Sequence, residues 1–103
     1  MKYRVELTND ALLDINRAYD EIFQACLDNN TTKEYINSLL DKLEIISDFP
    51  ESGTPLYFGR RQSEYRYVIY KSYIAFYHLH NGTIFIDRIL YGKSDYIKTL
   101  KIN

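Results

Sequence analysis

Tyr65-Arg66-Tyr67-Val68-Ile69-Tyr70-Lys71-Ser72-Tyr73-Ile74-Ala75-Phe76-Tyr77-His78-Leu79-His80-Asn81-Gly82-Thr83-Ile84-Phe85-Ile86-Asp87-Arg88-Ile89-Leu90-Tyr91 is three β-rich runs joined by two short breaks. β-Branched and aromatic residues fill each run, as a pleated, half-buried surface requires. Asn81-Gly82 supplies the positive φ of a type I′ hairpin turn, and Lys71-Ser72 is the candidate for the other turn. Strands are therefore expected at 65–71, 73–80 and 83–91. The middle run is apolar in both phases, with Tyr73, Ala75, Tyr77 and Leu79 on one side and Ile74 and Phe76 on the other. That is the pattern of a central strand covered, at least in part, on both faces.

The stretch before this meander is helical. Lys2–Leu7 alternates, with Tyr3, Val5 and Leu7 on one side, and reads as a half-buried strand. Thr8 or Asn9 can cap a helix whose apolar stripe runs Leu12, Ile15, Ala18/Tyr19, Ile22/Phe23 and Cys26. Asp14, Arg17, Asp20, Glu21 and Gln24 fall on the opposite, solvent-facing side. Asn29-Asn30 is expected to end this helix. Thr31 with Glu34 reads as a capping box for a second one, striped by Tyr35/Ile36, Leu39/Leu40, Leu43 and Ile46. The short connection makes the two helices an antiparallel hairpin. Pro50 stops the second helix, and a loop is expected from Phe49 to about Ser63. The order β-αα-βββ predicts an α+β fold. An antiparallel sheet of three or four strands packs on a two-helix hairpin and leaves its second face open.

The 103 residues fit one domain spanning 1–103. Cys26 is the single cysteine, so no internal disulfide can form. Met1 to Leu7 alternates and forms no apolar h-region, so no secretory signal is expected, and no apolar run reaches the ~20 residues of a membrane span. A soluble, cytoplasmic setting is expected. The net charge of −1 hides a division. Residues 1–57 carry five Lys/Arg against eleven Asp/Glu, whereas 58–103 carry eight against three. The basic half also holds seven of the eleven Tyr. Cations interleaved with aromatic faces suit contact with an anionic partner or nucleic acid.

The candidate binding residues are Arg60, Arg61, Arg66, Lys71, Arg88, Tyr91 and Lys93. In a strand from Tyr65, Arg66 shares a face with Val68 and Tyr70. His78 is a candidate for acid–base chemistry, because an imidazole can serve as acid or base. His78 and His80 share a strand phase, but no cysteines accompany them, so neither a metal nor another cofactor is expected. No Gly-rich phosphate loop and no Ser-His-Asp order is visible.

The chain resembles the RelE/ParE superfamily, the small toxins of bacterial type II toxin–antitoxin modules. The resemblance rests on the opening strand with Thr8, on Leu43-x-x-Ile46 leading into Phe49-Pro50-x-x-Gly53-x-Pro55, and on Tyr65-Arg66. It continues through Tyr73-Ile74-x-Phe76-Tyr77 and Ile86-x-Arg88-Ile89-Leu90-Tyr91-Gly92-Lys93-x-Asp95. It implies the β-αα-βββ fold, growth inhibition, plasmid stabilization and a cognate antitoxin that covers the toxin. Two activities divide the superfamily. ParE-like members poison DNA gyrase and need no catalytic set. RelE-like members are mRNA interferases that cleave mRNA on the ribosome; here they would call on Arg66, His78, Arg88, Lys93 and Tyr96. The Pro-x-x-Gly-x-Pro turn and the Arg-Ile-Leu-x-Gly-x-x-Asp ending are closer to ParE. Ile74, Tyr65 and Tyr67 stand where RelE-like chains carry cations. A third alternative is a non-toxic, antitoxin-binding regulatory partner.

Overall fold

The computed structural model describes residues 2–92. Their elements are β1 (Arg4–Leu7), α1 (Asn9–Cys26), α2 (Asn29–Asp48), β2 (Thr54–Phe58), β3 (Arg61–Tyr70), β4 (Tyr73–His80) and β5 (Thr83–Tyr91). They form one five-stranded sheet in the order β1-β5-β4-β3-β2. β2 through β5 are antiparallel neighbours, and β1 runs parallel to β5. No described helix is long and apolar enough to cross a membrane.

The turns follow the sequence chemistry. Asn81 and Gly82 both have positive φ (50° and 78°), as type I′ requires, and Lys71 (52°) opens the other hairpin turn. Thr8 caps α1, its hydroxyl accepting from the Ala11 N–H. The same hydroxyl donates to the Asp87 carbonyl, so the cap also fastens the helix start to β5. Leu27, in the left-handed region, ends α1 three residues before the expected Asn30 limit. The α2 cap is Asp28 rather than Thr31, because its carboxylate meets both the Asn30 N–H and the Thr31 hydroxyl. Those bonds, Thr31 first, hold the Asp28 carboxyl below its ordinary value.

Three sheet features differ from expectation. The stretch read as loop contains β2, and β3 begins at Arg61. Pro55 hides this strand in the sequence, yet proline is tolerated at a sheet edge, where its missing N–H interrupts no central ladder. The β1–β5 pair is parallel because the whole helical hairpin serves as a crossover. The far face is also less open than expected: Leu56, Phe76 and Leu90 are buried there, with Tyr65, Tyr67 and Ile74 around them. The main core lies on the helix side. Ala11 and Ala18 of α1 and Ile36, Leu39, Leu43 and Ile46 of α2 pack on Tyr73, Ala75, Tyr77, Ile84, Ile86 and Ile89.

β5 changes phase midway. Ile84, Ile86 and Ile89 all reach the helix-side core, which strict alternation forbids. Asp87 is the extra residue of a bulge opposite the Phe76/Tyr77 step, and it resets the pattern.

The Pro50–Gly53 turn is fixed from below. Tyr77 Oη donates to the Pro50 carbonyl (2.7 Å) and accepts from the Gly53 N–H (2.9 Å). A Cβ at position 53 would lie 2.3 Å from that oxygen, so only glycine fits above the phenol. Gly53→Ala is expected to lower stability by about 1–3 kcal/mol, the range for overpacking a filled site. Urea unfolding reads this directly, and an unchanged midpoint contradicts the packing.

Candidate functional site

The cations singled out in the sequence have different surroundings. Arg66 donates from Nη1 to the Gly53 carbonyl (2.9 Å) and, more weakly, to that of Glu51 (3.3 Å). It closes the same turn that Tyr77 supports, on the helix side of the sheet. Arg88 turns to α1, where Nε and Nη2 meet the two carboxylate oxygens of Asp14 at 2.7 and 3.0 Å. Asp14 is 2% exposed. It also accepts from the Ile89 N–H at 2.9 Å, and Arg17 lies 3.5 Å away. The Asp14 hydrogen bonds raise the Arg88 pKa and keep the guanidinium charged. Arg66 and Arg88 therefore hold different elements and do not converge.

Asp14 was expected in solvent. Its burial follows from β1 being only four residues long. β1 pairs with β5 up to Ile86, so Ile89 has no β1 partner and takes a side-chain acceptor from α1 instead. A legible sign did exist: Ala11, Asp14 and Ala18 are spaced i, i+3, i+7, one helical face, and the two alanines are fully buried.

The remaining candidates gather at two ends of the sheet. Lys71 and Tyr91 border one shallow hollow at the β3–β4 turn, of about 260 Å³. The Lys71 ammonium sits 4.9 Å from the Tyr35 ring centroid and 5.4 Å from that of Tyr70, within cation–π range. Tyr73 meets Tyr35 and Tyr91 edge-on and donates to Glu21 Oε1 at 3.0 Å. Burial, then the Glu21 bond, pushes the Tyr73 pKa up and keeps the phenol protonated. Arg60 and Arg61 lie at the opposite end, exposed at the β2–β3 turn beside exposed Tyr57. The ten residues of β3 put about 30 Å between the two ends. Lys93 and Tyr96 lie outside the described residues.

His78 occupies the far face. Its Nδ1 is 2.6 Å from Asp87 Oδ2, Phe85 stacks on the ring at 5.4 Å, and Tyr65 meets it edge-on at 6.0 Å. Burial raises the Asp87 pKa, the His78 bond and charge oppose that shift, and Glu64 adds to it. Tyr65 is likewise raised by burial, then by Asp87 and Glu64. The charged neighbours in the fields of Asp87 and Tyr65, His78 aside, are carboxylates. Arg66 and Arg88 have their hydrogen-bond partners elsewhere. Among the described residues, the arrangement orients an imidazole against a carboxylate.

The family described as ParE toxin of type II toxin-antitoxin system, parDE, matches residues 5–96. The chain belongs to the ParE toxin family. A solved chain from the chromosomal ParDE toxin–antitoxin system of P. aeruginosa superposes with a TM-score of 0.73, at 13% identity. It covers 87% of this chain and 96% of its own length, and at that identity it supports the fold alone. No curated protein sequence matches at a significant level.

Asp87 yields a titration test. A folded pKa above 3.8 means that the folded chain binds more protons than the unfolded one. The resulting stability is complete below pH 3.8 and is lost as pH rises through the folded midpoint. His78→Ala removes the lowering contribution, so the Asp87 midpoint is expected to rise further, read by carboxyl-carbon NMR. A midpoint that falls in the variant contradicts the assignment.

Proposed function

We propose that this ParE-family toxin arrests growth by poisoning DNA gyrase in the cytoplasm, as a binding protein and not as an enzyme. The observation that carries the reading is the engagement of Arg66 and Arg88. A metal-free ribonuclease needs cations for the charged transition state, and these two are occupied in holding the Pro50–Gly53 turn and α1. The family membership supplies a type II module, hence an antitoxin partner.

The exposed cations remain for target contact. Arg60 and Arg61 project from a turn with no burial role, and Lys71 lies beside Tyr91 at the other end. Lys93 continues the chain just past Gly92. Gyrase, or the DNA it holds, presents the anionic surface that such residues suit.

The direct assay is purified toxin with gyrase, supercoiled plasmid and ATP. Linear, protein-linked DNA is expected. Arg60→Glu with Arg61→Glu should lower the yield about tenfold or more, the scale of losing charge pairing at an interface, with thermal stability unchanged. Normal supercoiling at saturating toxin rejects the reading. New 5′ ends within translated mRNA after induction favour ribosome-dependent cleavage instead. Undisturbed growth after induction favours the non-toxic regulatory role.

A further inference from the structure

A second, larger hollow of about 560 Å³ opens on the helix side, where the β3–β4 turn meets the α1–α2 connection. α1 contributes Glu21, Ile22 and Ala25, α2 contributes Tyr35, and the sheet contributes Tyr73 and Tyr91. Its volume falls within the ~300–1,000 Å³ of small-molecule pockets. Apart from Tyr91, none of these residues enters the gyrase reading.

Two features give the hollow a preference for positive charge. The first is aromatic. Tyr73 stands nearly perpendicular to Tyr35 (82°, 6.1 Å between ring centroids) and to Tyr91 (80°, 5.8 Å). Rings set edge to face do not cover one another as stacked rings do, and Tyr91 is 41% exposed. Aromatic faces attract cations through the ring quadrupole. The chain itself uses that attraction next door, where the Lys71 ammonium rests 4.9 Å from the Tyr35 centroid. The second feature is Glu21, the one charged residue in the lining among the described residues. Its Oε1 accepts from the Tyr73 hydroxyl at 3.0 Å, which sets the carboxylate beside the rings. Among the described residues no Lys, Arg or His forms an ion pair with Glu21. Ile22 and Ala25 add an apolar wall. A carboxylate and three phenol rings beside such a wall select a cation on a hydrocarbon stem.

We propose that this hollow binds a small primary aliphatic amine. Its ammonium sits between Glu21 and the tyrosine rings, and its stem lies along Ile22 and Ala25. An N–H donor is favoured over a quaternary ammonium, because the carboxylate accepts a charge-assisted hydrogen bond. Glu21 repels an anion, and an uncharged ligand leaves the carboxylate without a counter-charge. The site joins α1, α2 and the sheet, so a bound amine stabilises the folded chain by mass action. The proposal is independent of the gyrase reading, and either can fail alone.

The test is titration of the full chain with n-butylamine at ~0.15 M salt, followed by tyrosine-ring NMR and thermal unfolding. Butan-1-ol serves as the uncharged isostere. Saturable shifts are expected at Tyr35, Tyr73 and Tyr91, with half-saturation on the order of 1 mM and a raised melting temperature at about tenfold that concentration. Butan-1-ol is expected to bind at least about tenfold more weakly. Glu21→Gln keeps an oxygen acceptor for the Tyr73 hydroxyl and removes the charge. It should weaken butylamine about tenfold, the scale of losing a charge-assisted hydrogen bond, and leave the melting temperature of the free chain unchanged, because Glu21 is exposed. Equal binding of butylamine and butan-1-ol makes the hollow an apolar depression and overturns the proposal. Butylamine binding that is unaffected by Glu21→Gln overturns it as well. So does the absence of a saturable shift at these three rings, which leaves Lys71 as the cation that they hold.

Discussion

A single buried carboxylate ties the two halves of this fold together. Asp14 takes both the Arg88 guanidinium and the Ile89 N–H, at the point where β5 has outrun its short neighbour β1. Without it, a half-buried cation and a backbone donor would be left unpaired against α1. Removing one partner of such a pair typically costs about 3–5 kcal/mol, far more than an exposed ion pair contributes. The bulge at Asp87 belongs to the same arrangement. It resets the strand so that Ile89 reaches the core, and it leaves Asp87 facing His78 on the other side.

That arrangement bears on function. A basic C-terminal half suggests a cationic active surface, yet hydrogen bonding divides its charges by task. Arg88 holds α1, and Arg66 with Tyr77 holds the turn above Gly53. Among the described residues of that half, the cations in exposed positions are those at the ends of the sheet, where they can meet a partner without desolvation of a structural pair.

Much of the fold was legible because local chemistry and global packing agree. Asn81-Gly82 specified its turn, Thr8 its cap, and the two-phase apolar pattern of 73–80 its central position. β2 was not legible, since Pro55 and the nearby Gly53 and Gly59 read as loop until a neighbouring strand is present to pair with. The parallel β1 pairing depends on contacts almost eighty residues apart, which periodicity does not encode. At the candidate site, residue types were visible and directions were not. A bulge decides where Arg88 points, and Asp14 looks like surface unless its spacing from Ala11 and Ala18 is weighed.

The most direct measurement is a double-mutant cycle on Asp14→Leu and Arg88→Met, by chemical denaturation. The account expects each single replacement to cost several times more than an ordinary surface substitution. The double variant should lose about 2 kcal/mol or more less than the sum of the two, because the second change removes the charge that the first stranded. Strictly additive losses would contradict the claim that this pair fastens α1 to β5.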